Sequence, residues 1–313
     1  MSQIDFTTKY LKEFTSLIKA WFATAFLLAS ILLINIMQLL SLIFIFTAPK
    51  LFRKINRFFA NSWWGSIVFL QEKIWGIDFT FSGDDVPMKE NVLVISNHQS
   101  MADIPVLLSL AWRKGRLGDL KWFAKDQVKY FPGVGWGMQF LDSIFVKRNW
   151  MQDKEHIAET FAHLTKNKIP VWIVSFAEGT RITPAKLSSS QRFAKSRGIE
   201  IPKHTLIPRT KGVVATIEGM RNSLDAVYDV TVGYPDGISS IWEYAKGKSS
   251  RINIHVTRYE MSAMPNSDQE LDQWIKARFV EKDQLLTQFN KQKKFPGHRL
   301  DSPWKIMFQL VFG

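Results

Sequence analysis

The sequence of 313 residues contains no cysteine. This absence excludes disulfide bonds, metal sites built on thiolates, and any covalent mechanism that uses a cysteine nucleophile. Extensive disorder is also excluded, because 46% of the residues are hydrophobic and 22% are charged, a balance typical of folded domains. The length suits one sizeable core with room for a small appendage.

Acidic residues are in short supply: 28 Asp and Glu stand against 41 Lys and Arg, which gives a formal net charge of +13. Such a surplus attracts polyanions, and the candidates are nucleic acid, anionic lipid headgroups and phosphorylated small molecules. The twelve tryptophans favour lipid, since indole rings settle at the boundary between water and hydrocarbon. The sequence carries no known nucleic-acid-binding motif. We therefore predict membrane lipid as a partner and no nucleic-acid partner.

Charged residues are missing altogether between Ala20 and Pro49, a segment dominated by Leu, Ile, Phe and Ala. A hydrocarbon core of about 30 Å needs only ~20 helical residues, so this segment is long for one upright span. Basic residues flank both ends, which suits a hairpin that turns near Asn35 and Gln38 and keeps both ends on the cytoplasmic side. A single tilted span is the alternative. We predict a membrane anchor with an amphipathic connector at residues 1–60.

From about Ile77 the pattern alternates between strand and helix, which predicts an α/β layered domain around a central sheet, at residues 61–290. The polar segment Thr183–Thr205 is predicted to be a loop. Residues 291–313 are predicted to form an amphipathic tail that contacts the membrane. The predicted strands are Asp78–Phe81, Val92–Ser96, Trp122–Ala124, Ile144–Lys147, Val171–Phe176, Ala226–Thr231 and Ile252–Thr257; the predicted helices include Ile104–Trp112, Lys154–Asn167 and Asp268–Asn290, the last opened by a capping box from Ser267 to Glu270.

A histidine and an acid follow the apolar run Val92–Ile95, with His98 five residues before Asp103. A carboxylate one turn away can bond one ring nitrogen of the histidine, fix its tautomer and stabilise the imidazolium that forms when the other nitrogen accepts a proton. The structural alternative is a capping box from Ser100 to Asp103 at the start of a helix. Both interpretations stay open on these residues alone.

Three further strand ends carry groups that suit an anion. A glycine after a strand lets backbone amides approach a ligand, an arginine offers a planar fork to phosphate, and a helix N-terminus favours negative charge. Each segment also has a structural interpretation, as a salt-bridged turn, a basic strand end or a solvated turn. The segments are Glu178-Gly179-Thr180-Arg181 after Phe176 and Ala177, Lys147-Arg148 after Ile144–Val146, and Pro208-Arg209-Thr210-Lys211 before the apolar helix Val213–Met220.

Together and in this order, these segments resemble the four motif blocks of the glycerophosphate and lysophosphatidate acyltransferase family. The resemblance covers roughly Ile77 to Thr257. Pro208-Arg209-Thr210-Lys211-Gly212, followed by Tyr228-Asp229-Val230-Thr231, resembles the branch of animal lysophosphatidate and lysocardiolipin acyltransferases and a similar bacterial inner-membrane group. Ala177 departs from the family's usual proline, and Lys147 departs from its usual acid. The matches are His98 and Asp103 in block one, Arg148 in block two, Phe176 and Glu178–Arg181 in block three, and Ile207 and Pro208 in block four.

The resemblance implies a central mixed sheet flanked by helices and direct acyl transfer to the hydroxyl of a lysophospholipid. The donor would be a thioester of coenzyme A or of acyl carrier protein, with no cofactor and no metal. His98 would be the general base and Asp103 its orienting partner. Glycerol phosphate would be held by Arg148, Glu178, Gly179, Thr180 and Arg181, with Lys147, Pro208, Arg209 and Lys211 as further candidates.

This resemblance also implies a membrane location, on the cytoplasmic side of a bacterial inner membrane. Two alternatives remain: acylation of another lysolipid or a glycolipid, and a non-catalytic protein that binds anionic lipids. The pair His98 and Asp103 counts against the second, since lipid binding needs neither residue.

Overall fold

The structure is a computed structural model that describes residues 3–147 and 149–297. Seven strands form one sheet: β1 (Asp78–Gly83), β2 (Val92–Ser96), β3 (Leu120–Lys125), β4 (Ile144–Val146), β5 (Trp172–Ser175), β6 (Ala226–Gly233) and β7 (Arg251–Glu260). Their spatial order is β1-β7-β6-β2-β5-β3-β4. Neighbouring strands are parallel except β6 and β7, which run antiparallel, so the predicted mixed sheet is confirmed. All seven predicted strands are present, with ends that differ by a few residues.

Helices lie before, between and after these strands. The α-helices are α1 (Gln3–Ser41), α2 (Phe44–Thr47), α3 (Pro49–Phe69), α4 (Asp103–Arg113), α5 (Val134–Gln139), α6 (Trp150–Lys166), α7 (Pro184–Arg197), α8 (Lys211–Met220), α9 (Ile241–Ala245) and α10 (Asp268–Gln292). A π-helical turn, Leu70–Ile74, continues α3, and the capping box predicted from Ser267 to Glu270 opens α10.

The central strand β2 is buried on both faces, which explains its uninterrupted apolar sequence. Val92 and Val94 pack into a core with α3 and α4, whereas Leu93 and Ile95 pack on the other side with α6, α8 and α10. Because β2, β5 and β6 are parallel, their carboxyl ends meet at one edge of the sheet. Loops that follow these strand ends are therefore brought together, as in other open α/β sheets.

The loop predicted at Thr183–Thr205 is wrong over Pro184–Arg197, where α7 forms. The side chain of Thr183 accepts a hydrogen bond from the backbone N–H of Lys186 at 3.3 Å, and Pro184 occupies the first turn. Gly198 ends the helix with φ +63°. These are ordinary start and stop signals for a helix, and the polar composition of the segment hid them.

The turn predicted near Asn35 and Gln38 is also wrong, because α1 is continuous through both residues for 39 residues. The chain reverses after Ser41 instead, and α3 returns alongside α1: Trp63 Nε1 donates to the carbonyl oxygen of Leu27 at 3.2 Å. The side chain of Asn35 therefore does not bond the backbone of a turn within the membrane. Its Oδ1 accepts the backbone N–H of Gly133, in the loop before α5, at 2.7 Å.

One helical segment in the described part of the chain, Tyr10–Ser41, is long and apolar enough to cross a membrane by length and composition. The predicted boundary between the anchor (residues 1–60) and the catalytic domain (residues 61–290) falls inside helix α3. This division into domains stays a prediction. Of the predicted tail at 291–313, residues 298–313 lie outside the described residues.

Candidate active site

The loop after β2 is fixed by side-chain bonds to β6. Asn97, which is fully buried, donates through Nδ2 to the carbonyl oxygen of Val232 at 3.0 Å and accepts the N–H of Val232 at 2.8 Å. These two bonds clamp the ends of the two strands together. The residue that follows, His98, therefore leaves the sheet in a defined direction.

His98 and Asp103 form a hydrogen-bonded pair, with Nδ1 and Oδ2 2.9 Å apart. Asp103 is fully buried, and its Oδ2 also accepts the backbone N–H groups of Gln99 and Ser100. Its Oδ1 accepts the hydroxyl of Tyr234, just beyond β6, at 2.5 Å. Burial raises the pKa of Tyr234 well above its usual value, and nearby Asp103 raises it further, so the tyrosine remains a donor.

The surroundings of Asp103 fix the tautomer of His98. A carboxylate accepts hydrogen bonds, so Nδ1 must carry a hydrogen, and the neutral ring then has its lone pair on Nε2. The side chain of His98 is 11% exposed, so part of the ring is open to a substrate. The pair is therefore arranged for general-base chemistry.

The capping-box alternative for Ser100 and Asp103 is half met. Asp103 Oδ2 accepts the backbone N–H of Ser100 at 2.9 Å, but the Ser100 hydroxyl does not accept the N–H of Asp103, and Ala102 before α4 forms no side-chain cap. The hydroxyl of Ser100 donates to the carbonyl oxygen of Ser239 at 2.6 Å, in the loop before α9. The carboxylate of Asp103 is thus committed to His98, Tyr234 and the loop between them.

The loop after β5 supports His98 from a second side. The ring of Phe176 stacks on the imidazole, with centroids 3.9 Å apart and planes inclined by 15°. Glu178 is buried; its Oε1 accepts the backbone N–H of His98 at 3.0 Å and its Oε2 accepts that of Leu206 at 3.3 Å. Burial raises the pKa of Glu178 to about 8, against the opposite effect of these two N–H groups. Glu178 is therefore placed to hold three loops together.

Gly179, Thr180 and Arg181 continue past His98. Gly179 has φ +69°, and a Cβ there would lie 2.9 Å from Cδ of Arg209, so the glycine lets the Arg209 side chain lie against the loop. Arg181 and Arg209 are exposed, and both lie beside the loop that supports His98. Lys186 of α7 adds a third cation, since its Nζ donates to the hydroxyl of Thr180 at 2.5 Å.

The remaining predicted site residues form no hydrogen bond with His98 or Asp103 within the described part of the chain. Lys147 follows β4 and donates its backbone N–H to Asp153 at 2.8 Å, and Arg148 lies outside the described residues. Pro208 leads into Arg209, whose N–H donates to the carbonyl oxygen of Ala177 at 2.7 Å. Lys211 is predicted in the turn before the helix Val213–Met220, but α8 begins at Lys211 itself, and this lysine lines a groove between α6, α8 and α10.

Sequence reasoning missed three contributors: Tyr234, which bonds Asp103; Lys186, which bonds Thr180; and the stacking of Phe176 on His98. The helix signals around Thr183 could have placed Lys186, one turn into α7. Nothing local marks Tyr234, which is 131 positions from its partner. Among residues 3–147 and 149–297, no group of three or more His, Asp or Glu side chains could hold a metal ion.

The sequence matches two family models. The Acyltransferase model matches residues 78–234, which contain the sheet from β1 to β6 and every predicted site residue. The Acyltransferase C-terminus model matches residues 244–312.

Curated relatives match most of the chain. A protein of Arabidopsis thaliana described as probable 1-acyl-sn-glycerol-3-phosphate acyltransferase 5 is 36% identical over 260 residues, which cover 83% of this chain and 69% of the relative. The Homo sapiens 1-acyl-sn-glycerol-3-phosphate acyltransferase gamma is 30% identical over 284 residues, covering 88% and 76%. The crystal structure of the 1-acyl-sn-glycerophosphate acyltransferase PlsC from Thermotoga maritima superposes with a TM-score of 0.52 at 17% identity, covering 87% of this chain and 97% of PlsC. That superposition establishes a shared fold.

Proposed function

Because this chain belongs to the Acyltransferase family, we propose that it moves a fatty acyl group from a thioester donor to the free hydroxyl of lysophosphatidic acid, as the names of its relatives describe. The observation that carries the proposal is the 2.9 Å contact between His98 Nδ1 and Asp103 Oδ2, with exposed arginines on the loop after β5 (Arg181) and on the loop before α8 (Arg209). A protein that only binds anionic lipids needs no oriented base, so this geometry favours catalysis.

The reaction needs one proton acceptor and one nucleophile. Nε2 of His98 takes the proton from the acceptor hydroxyl while the oxygen attacks the thioester carbonyl carbon. The tetrahedral intermediate then expels the thiolate, which receives the proton from the imidazolium. Asp103 stabilises the imidazolium, because its negatively charged carboxylate accepts a hydrogen bond from the other ring nitrogen, Nδ1.

Arg181 and Arg209 are the groups best placed to bind the phosphate of the acceptor. Both are exposed beside Gly179, whose lack of a Cβ permits the close approach of Arg209. A guanidinium can bind phosphate through two parallel hydrogen bonds, which orients the glycerol as well as attracting it. Arg148, Lys147 and Lys211 stay predictions for the same role.

A cavity of about 250 Å³ adjoins the pair and suits the donor. It is bordered near His98 by Gln99 and Ile182, and farther away by Lys203, His204 and Lys293. Coenzyme A and acyl carrier protein both present a thioester on a phosphorylated pantetheine arm. Lys203 and Lys293 would attract the phosphate of such an arm and direct its thioester towards His98.

We place the enzyme at a membrane through α1. One face of α1 packs on the domain: Ala20 is fully buried and the rings of Trp21 and Trp242 lie 5.4 Å apart. The opposite face exposes a long series of apolar side chains, such as Phe22 and Leu33, which suit lipid. The cytoplasmic side of a bacterial inner membrane stays a prediction.

A panel of acceptors with the purified full-length protein tests the proposal. Labelled acyl-CoA and acyl carrier protein thioesters are each supplied with lysophosphatidic acid, lysophosphatidylglycerol, lysophosphatidylcholine or a glycolipid. We expect the fastest transfer to lysophosphatidic acid and at least a hundredfold loss with His98→Ala. Faster transfer to another lysolipid would show that lysophosphatidic acid is not the preferred acceptor, while the proposed acyl-transfer reaction would stand. Transfer by His98→Ala at the normal rate would exclude the mechanism.

A further inference from the structure

A second basic cavity lies at the opposite edge of the sheet from His98. It has a volume of about 250 Å³ and lies between α3 and the amino ends of β3 and β5. Parallel strands place the carboxyl ends of β2 and β5, and so the active site, at the other edge. The cavity is lined by six cationic side chains: Lys50, Arg53, Lys54, Arg57, Lys121 and Lys168.

The acids in this cavity are already occupied. Asp142 bonds Arg53 at 3.0 Å, and Asp119 bonds Arg57 at 2.8 Å and also Arg116. The four lysines of the lining have no ion pair within the described ranges. The cavity therefore holds an excess of positive charge that the folded chain does not neutralise.

Lys121 is the unusual member of the set, because it is 3% exposed. Its ammonium has no hydrogen-bond or ion-pair partner in residues 3–147 and 149–297. Burial lowers the pKa of Lys121, while the nearby charges of Asp142 and Asp119 raise it. The ammonium itself is not enclosed by protein and faces the cavity, so an anion that enters the cavity can pair with it.

Apolar surface adjoins the rim of the cavity. The turn between α1 and α3 exposes Ile43 and Phe46, the latter by 92%, a few residues before Lys50. A phospholipid can lay its chains on such a turn while its headgroup enters the basic cavity. Helix α3 begins at Pro49, so the positive end of its dipole lies at the same place.

We propose that this cavity binds the phosphate of an anionic phospholipid headgroup, with Lys121 at its floor and Lys54 and Lys168 at its rim. The site is separate from the acceptor site and uses no residue of the His98 loop. It would retain the enzyme on anionic bilayers independently of catalysis.

Ligand-dependent thermal stability of the full-length protein in nonionic detergent tests the site. The probes are dihexanoyl phosphatidylglycerol, dihexanoyl phosphatidylcholine and inorganic phosphate at equal concentration. At a tenfold excess over Kd, we expect phosphatidylglycerol to raise Tm by about 3 °C and the other two probes to have little effect. An equal rise with phosphatidylcholine would overturn the site. An equal rise with phosphate would overturn the lipid assignment.

Variants locate the effect. Lys121→Met keeps a similar volume and removes the unpaired ammonium, so its Tm without ligand should be unchanged or higher while the lipid-dependent rise disappears. Lys54→Ala/Lys168→Ala should also lose most of the rise, and it decides the question if Lys121→Met does not fold. The control Lys195→Ala, on exposed α7, should keep the full rise. His98→Ala should keep it too, so a failure here is distinct from a failure of the catalytic proposal. A full rise in both cavity variants would overturn the proposal.

Discussion

The side chain of Glu178 holds the backbone of His98, with Oε1 and the His98 nitrogen 3.0 Å apart. His98 is therefore positioned twice, through its ring by Asp103 and through its main chain by Glu178. The second oxygen of Glu178 reaches Leu206, which ties the loop before α8 to the same point. Asp283 of α10 in turn accepts the N–H groups of Lys203, His204 and Thr205, so α10 braces the loop that contacts Glu178.

The raised pKa of Glu178 predicts a pH-dependent stability. Its folded-state pKa of about 8 exceeds the ordinary value of 4.5 because of burial. The unfolded chain therefore releases this proton at lower pH than the folded chain does. The stability due to this group is complete below pH ~4.5, falls as pH rises towards ~8, and is constant above.

Glu178→Gln removes this titration. Thermal unfolding midpoints of both proteins are measured from pH 4.5 to 8.5. The wild-type midpoint should fall relative to that of Glu178→Gln as pH rises, since the wild-type protein alone loses this contribution. The control Glu200→Gln, at an exposed position, should leave the slope unchanged. Parallel profiles for wild type and Glu178→Gln would show that Glu178 is ionised throughout.

His98→Ala should lower kcat by about 10²–10⁴-fold, because the proton acceptor is lost. Asp103→Asn should also lower kcat strongly, since the amide no longer stabilises the imidazolium or fixes its tautomer. Transfer rates with saturating substrates measure both effects, and circular dichroism checks the fold. A normal kcat in Asp103→Asn would remove Asp103 from the mechanism and leave His98 to act alone.

Two glycines with the same backbone conformation separate strain from function. Gly179 and Gly198 have φ +69° and +63°, so alanine strains either position by roughly 1 kcal/mol. A Cβ at Gly179 would displace Arg209, whereas a Cβ at Gly198 would meet nothing within 4 Å. We therefore expect Gly179→Ala to raise KM for the acceptor and Gly198→Ala to leave it unchanged, at similar losses of stability. Equal effects on KM would mean that Arg209 does not contact the acceptor.

Arg181→Lys should weaken acceptor binding about tenfold or more, because lysine keeps the charge and loses the planar fork. Arg148→Lys is expected to behave alike, on the sequence resemblance. Steady-state kinetics with each substrate varied in turn should show a larger change for the acceptor than for the donor. Arg192→Lys, at an exposed position on α7, is the matched control. Equal changes for both substrates would argue against a phosphate contact.

The packing of α1 predicts its topology. Residues 20–41 contact the domain on one face, so they cannot all be surrounded by lipid, and the charged residues Lys9, Lys12 and Lys19 precede them. A lone crossing of a ~30 Å core by this helix is therefore disfavoured. Single cysteines at Ser2 and Ser62 can be tested in intact cells, since the native chain has none. Both should resist a membrane-impermeant thiol reagent, and labelling of the Ser2 site alone would establish a full crossing.

The strands and the contact between His98 and Asp103 were predictable from sequence because their signals are local. Continuous apolar runs such as Val92–Ile95 mark buried strands, and His98 follows one of them directly. The turn of the N-terminal segment was misplaced for a different reason. Asn35 is polar in an apolar sequence, and without the fold its partner, the N–H of Gly133, cannot be seen. From sequence alone, the polar side chain of Asn35 indicates a bend in the helix. In the structure it accepts a hydrogen bond from a loop 98 residues away.

Long-range partners explain the other omissions. Tyr234 reaches Asp103 only because β6 lies beside β2, and that strand order is not written in either segment. Glu178 was assigned to substrate by resemblance, although both its oxygens accept backbone N–H groups. Its role at the substrate stays a prediction. Nothing in the sequence around Lys121 distinguishes it from a solvent-exposed lysine of a strand, whereas the structure shows that its side chain is buried.

The contact between α1 and the domain makes this helix part of the folding unit. Ile31 belongs to the same core as Trp63 and Trp64, and Asn35 supplies the acceptor for the N–H of Gly133. A cloning boundary or protease cut after Ser41 would uncover those tryptophans and leave that N–H unpaired, at about 1–3 kcal/mol for the lost bond alone. Versions of the protein that are shortened to remove α1 would consequently expose part of the hydrophobic core to water. Helix α1 thus exposes apolar side chains on one face and covers the core of the domain with the other.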